Sequence, residues 1–144
     1  MPVDDGKMRR LVLAGGVFAL GSAVHTFDHL RRGQGSVTEE LYWVGNLALV
    51  LQAVVITLVL TRHRWAPLAA VAAGFPLALG FTAAHWLPEW SVLSDPLSEI
   101  DSWFSYVAST LEIAGALAVG VAGASVLRTG GLDRIGRGRS PSTV

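Results

Sequence analysis

His25, Asp28 and His29 form the pattern H-x-x-D-H. On a helix, spacings of three and four put all three side chains on one face. Two imidazoles one turn apart can hold a single metal ion. A carboxylate between them can serve as a further ligand or orient one. His85 follows sixty residues after His25, and Glu89 lies one helical turn beyond it. The expected metal ligands are therefore His25, His29, His85 and Glu89, and Zn, Cu, Fe or Mn would accept such nitrogen and oxygen donors.

If such an ion keeps an open position, it acidifies a bound water and makes a nucleophile at neutral pH, here directed at a lipid-borne substrate. Glu112 is the expected general base and Asp28 the second catalytic carboxylate. Contacts to a small ligand are expected at Asn46, Gln52, Trp86, Trp103, Tyr106 and Ser109.

Three other chemistries compete. A metal-free lipid or isoprenoid isomerase or cyclase would use Glu112 as acid and base, with Trp86, Trp103 and Tyr106 facing a carbocation. A b-type haem would take His25 and His85 as axial ligands. In a non-catalytic subunit of a membrane complex or transporter, the same polar residues would serve only to hold helices together.

The elements that must position these residues are apolar. The chain of 144 residues is 51% hydrophobic and 15% charged, with a mean hydropathy of +0.48. Four runs, 11–30, 41–60, 65–87 and 103–127, reach the roughly 20 residues that cross about 30 Å of hydrocarbon. The expected fold is all-α: an integral membrane four-helix bundle, with a polar segment at 1–10 and a flexible basic tail at 128–144. Lys7, Arg9 and Arg10 ahead of an apolar core, with Gly21 and Ala23 behind them, also fit a signal peptide; the run is read as a retained helix. Ionisable groups inside such runs cost roughly 2.5–3.5 kcal/mol each, so His25, His85 and Glu112 mark a functional site.

The halves of the chain are weakly alike. At an offset of sixty, Ala23, His25, Trp43, Ala48, Leu51 and Val59 meet identical residues, and Gln52 meets Glu112. Two similar two-helix hairpins related this way form a parallel repeat, whose sites tend to lie at the repeat interface. All four runs carry polar groups towards one end and almost none towards the other. That asymmetry predicts a cavity open at the polar end only.

Charge sets the expected orientation. Lys7, Arg9 and Arg10, then Arg62 and Arg64, then Arg128, Arg134, Arg137 and Arg139 fall on one side of an alternating bundle. The positive-inside rule makes that side cytoplasmic, with both termini inside. The connection after the third run carries only acids: Glu89, Asp95, Glu99 and Asp101. Trp43, Trp86, Trp90, Trp103 and Trp65 fall at the two expected boundaries, where indole rings settle. A bacterial plasma membrane is the expected location.

Smaller features complete the reading. Ser36 and Glu39 have capping-box spacing, Pro67 sits in a first helical turn, and Pro76 interrupts the third run. Small residues four apart (Gly15, Ala19 and Ala23; Gly80 and Ala84; Ala116, Gly120 and Ala124) allow close helix approach, within one chain or in a homo-oligomer. His63, between Arg62 and Arg64, belongs to a turn. The chain has no cysteine, which excludes disulfides, thiolate metal sites and cysteine nucleophiles. Zero formal net charge gives no support to a nucleic-acid partner. The expected partners are the bilayer and a hydrophobic small molecule.

Overall fold

The structure is a computed structural model. It describes residues 5–100 and 102–137, without the side chains of Gln34 and residues 129–137. Four helices carry the chain: α1 (Asp5–Arg32), α2 (Glu39–Leu60), α3 (Ala66–Trp86) and α4 (Trp103–Arg137). Each is long and apolar enough to cross a membrane, and no strand occurs among the described residues.

The helix ends follow from local chemistry. α1 begins six residues before its apolar run, with Asp5 in its first turn, where a negative charge suits the helix dipole. It stops at Gly33, whose φ of 86° and ψ of 160° are open essentially to glycine alone. α2 is capped by Thr38, whose hydroxyl accepts from Leu41 N at 3.2 Å. The cap is thus Thr38, not the expected Ser36; the Ser36 hydroxyl instead donates to Gly33 O.

α2 ends in a Schellman closure: His63 N donates to Leu58 O and Arg62 N to Val59 O, with Arg62 at φ 53° in the position glycine usually fills. Pro67 lies in the first turn of α3 and Pro76 inside it. α4 continues to Arg137, although 128–144 reads as a flexible tail. Gly130 and Gly131 only weaken a helix, by about 1 kcal/mol each, and no proline intervenes before Pro141. Arg139, like the rest of 138–144 and Asp101, lies outside the described residues.

Two ends of the bundle can be distinguished. The terminal end carries the start of α1, the 61–65 turn and the far part of α4. The loop end carries the 33–38 link and the 87–102 connection. α4 packs along both α1 and α3, whereas α2 touches α1 and α3 more lightly. The apolar core, including Leu11, Phe18, Val55, Val59, Ala70, Ala116 and Val119, fills the terminal and central parts.

Small residues bring backbones into contact there. A Cβ added at Gly21 would sit 2.7 Å from Leu111 O, and one at Gly74 would sit 2.7 Å from Ala116 O. In lipid, such close packing replaces the hydrophobic drive that water would supply. Of the small residues singled out by spacing, Gly15 abuts Val59 and Gly120 abuts Phe75, while Gly80 faces open space.

Candidate metal centre

α1 and α3 bring three imidazoles together at the loop end. The ring centroids of His25 and His85 lie 4.8 Å apart, those of His25 and His29 4.6 Å, and those of His29 and His85 5.8 Å. Each ring offers one ligand nitrogen such that all three nitrogens fall within 4.8 Å of one another. His25 and His85 are buried and His29 is partly so. From α4, Glu112 places Oε2 3.3 Å from His25 Nε2. From α2, the Gln52 amide hydrogen-bonds the Glu112 carboxyl.

Two pairs related by the offset of sixty therefore meet: His25 with His85, and Gln52 with Glu112. The packing around them is unequal, because α4 is deeply packed while its counterpart α2 is peripheral.

Three charged residues that spacing did not single out, Arg31, Arg32 and Asp95, build the frame. Arg32 grips Asp95 with both terminal nitrogens, Nη1 to Oδ1 at 3.1 Å and Nη2 to Oδ2 at 2.6 Å. Its Nε lies 3.3 Å from Asp28 Oδ2. Arg31 donates to Asp28 Oδ1 at 2.7 Å and to Ser102 Oγ at 2.9 Å. Asp28 is thus fully buried and engaged by two guanidinium groups. It anchors them and is not free for the acid–base role expected of it.

The loop supplies Asp95 because of Pro88. A residue before proline is pushed out of the helical region, and Leu87 is extended at φ −89° and ψ 154°. The chain then folds back until Asp95 N donates to Ala84 O at 2.8 Å. Glu89 was expected as a ligand through its helical spacing from His85. α3 ends at Trp86, so the spacing no longer holds; Glu89 is exposed and lies outside the histidine group.

Donor chemistry fixes the protons. The Asp95 carbonyl can only accept, so His85 donates to it from Nδ1 at 3.1 Å, leaving the Nε2 lone pair free. The Asp95 carboxylate adds a contact at 3.6 Å. Arginine can only donate, so His29 Nδ1, 3.1 Å from Arg32 Nη2, accepts. Neutral His29 then carries its proton on Nε2 and donates to His25 Nε2 at 3.0 Å. His25 in turn holds its proton on Nδ1, a buried atom with no partner. The same order explains why Glu112 Oε2, though close to His25 Nε2, accepts no hydrogen bond. Gln52 Oε1 is a further buried atom without one.

A cavity of about 580 Å³ opens beside the cluster. Gln52 and Asn46 line it, with His25, His29, His85 and Glu112. Asn46 spends its amide N–H on Tyr42 O at 2.8 Å. The remaining expected ligand contacts lie elsewhere. Trp86 Nε1 donates to buried Ser109 at 3.2 Å, and Tyr106 donates to Leu97 O at 3.0 Å with its ring edge-on to Trp86. These three fasten α4 to α3 and to the loop. Trp103 is exposed. None of the four lines the cavity, so aromatic stabilisation of a carbocation by Trp86, Trp103 and Tyr106 has no geometric basis in it.

Comparison with known protein families, characterised proteins and solved structures finds no match. The functional reading rests on this geometry.

Proposed function

We propose that the protein is a multi-pass membrane protein that binds a divalent transition metal through His25, His29 and His85, with Glu112 as the adjoining carboxylate. The carrying observation is the convergence of three imidazoles from two helices, with ligand nitrogens within 4.8 Å of one another. Tetrahedral ligation at about 2.0–2.1 Å needs nitrogens roughly 3.4 Å apart, a modest contraction from that limit. His85 has the outer support such ligands usually need, its second nitrogen held by a carbonyl with a carboxylate beside it. Imidazole with carboxylate suits zinc, iron or copper, and manganese less well.

Loading His29 Nε2 moves its proton to Nδ1. Arg32 would then have to turn from His29 while keeping Asp95. A bis-histidine haem draws less support, since imidazoles in ring-to-ring contact leave no gap for a macrocycle between them.

The positive-inside rule favours a cytoplasmic terminal end and an exoplasmic loop end in a plasma membrane. In that orientation the metal site faces outward. The meeting of His25 with His85 and of Gln52 with Glu112 supports an origin as two related hairpins.

The test is elemental analysis of protein purified in detergent, then titrated with zinc and with cobalt. Near-stoichiometric metal that is lost in His25→Ala and His85→Ala supports the reading. Folded protein that takes up neither ion overturns it. Single cysteines placed at Arg62 and Glu99 in this cysteine-free chain, labelled from outside intact cells, test the orientation; labelling at position 62 alone would reverse it.

A further inference from the structure

The loop-end half of α2 contributes no buried residue. Between Glu39 and Leu51 every side chain is exposed or half-buried, and burial begins only at Gln52, Val55 and Val59. The cavity occupies the resulting space between α2 and α3, walled by Leu41, Val44 and Leu49 on one side and Leu77, Phe81 and Ala84 on the other. Val44 and Leu49 are exposed although they lie within an apolar span, so the cavity communicates sideways with whatever surrounds the bundle at that depth. In a membrane that is hydrocarbon.

Its walls are apolar except where the polar cluster reaches them. There, two acceptors have no donor: Gln52 Oε1 and Glu112 Oε2, on side chains more than nine-tenths buried. An unmet acceptor of this kind costs roughly 1–3 kcal/mol. No lysine or arginine lines the cavity, and the nearest guanidinium groups, Arg31 and Arg32, are paired with Asp28 and Asp95. With no metal bound, a carboxylate or phosphate headgroup would find no counter-charge among the lining side chains.

We propose that this cavity binds an uncharged, single-chain lipid bearing a hydroxyl head, entering from the bilayer between α2 and α3, with the hydroxyl donating to Gln52 or Glu112. At about 30 Å³ per water-sized group, 580 Å³ holds on the order of 20 such groups. The inference goes beyond the metal reading and does not require it, because Gln52 Oε1 remains an open acceptor whether or not Glu112 meets an ion.

Gly45 and Gly80 make a test possible. Both line the cavity, and a Cβ added at either would meet nothing within 4 Å, so a ring built there starts out into open space. Gly45→Phe and Gly80→Phe should therefore fill the space without disturbing helix contacts. The probe is a diazirine-bearing octadecanol, photolysed with the protein in nanodiscs, and the labelled residues are mapped by mass spectrometry.

Labelling should concentrate on Leu49, Leu77 and Phe81. On metal-stripped protein, excess octadecanol should suppress it, with stearic acid an at least 10-fold weaker competitor and octadecylamine no stronger than the alcohol. It should fall at least 10-fold in either glycine variant, while both keep wild-type metal content. Labels spread evenly over lipid-facing side chains, persistence in both glycine variants, or stronger competition by the acid or the amine would each overturn the proposal. A wild-type protein that labels as expected but holds no metal sinks the metal reading alone.

Discussion

The terminal and loop ends of this bundle are stabilised by different physics. At the terminal end, backbones touch across Gly74, and the interior is mainly alanine, valine and leucine, with Met8 and Phe18. Nothing ionisable is buried there among the described residues. At the loop end the buried groups are histidines, carboxylates and serines, and the helices are held by Arg31 and Arg32 across Asp28 and Asp95. Steric packing tolerates no added bulk but needs no partner. A charge network tolerates some looseness but fails when one member is removed. The looser end is also the one with a cavity, so the plain core frees the other end to carry groups that the bilayer disfavours.

Four substitutions probe that division, in order of expected size. Arg32→Ala should cost the most, about 3–5 kcal/mol, because it leaves Asp95 buried without its guanidinium partner and Asp28 with Arg31 alone. Reversible unfolding in mixed micelles would measure it, and a loss under 1 kcal/mol would mean that the network does not hold the loop end. Gly74→Leu should cost about 1–3 kcal/mol by overpacking against α4. The folded fraction should retain its metal affinity, read by zinc competition with a chromogenic chelator; a parallel fall in affinity would show that the two ends are not separable.

Arg62→Gly should stabilise, by on the order of 1 kcal/mol, since a left-handed residue costs roughly 1–2 kcal/mol unless it is glycine. A higher midpoint in the same unfolding assay is the expected sign. Trp86→Phe should cost the least, about 0.5–1.5 kcal/mol for the hydrogen bond to Ser109, with metal uptake unchanged. Loss of metal in that variant would place Trp86 at the site after all.

The four spans were legible because apolar runs of this length leave few alternatives. The histidines and Glu112 were legible because titratable groups stand out against such runs. Arg32 and Asp95 were not. Arg32 reads as an ordinary flanking charge just past an apolar run, and Asp95 as one acid among several in a polar loop. Their partnership depends on the chain folding back after Pro88, and no periodic pattern encodes that fold.

Glu89 differs from expectation for the same reason: helical spacing from His85 does not hold past Trp86, where α3 stops. The cap at Thr38 was missed because Ser36 and Glu39 offered a familiar spacing two residues earlier. The looseness of α2 was hidden too, since its composition is as apolar as that of its neighbours, and composition does not say which apolar faces find protein and which find lipid.

A guanidinium has no lone pair to give. From its seat on Asp95, Arg32 therefore dictates the sense of the whole relay beneath it: His29 must pass its hydrogen inward, and His25 must turn its own away. Under the proposed metal reading, freeing His29 Nε2 for an ion would mean turning Arg32 away from His29 Nδ1, while its hold on Asp95 ties the tip of α1 to the returning loop. The guanidinium that straps the surface would thus also gate the proton at depth, through its free edge and not through its grip on the loop.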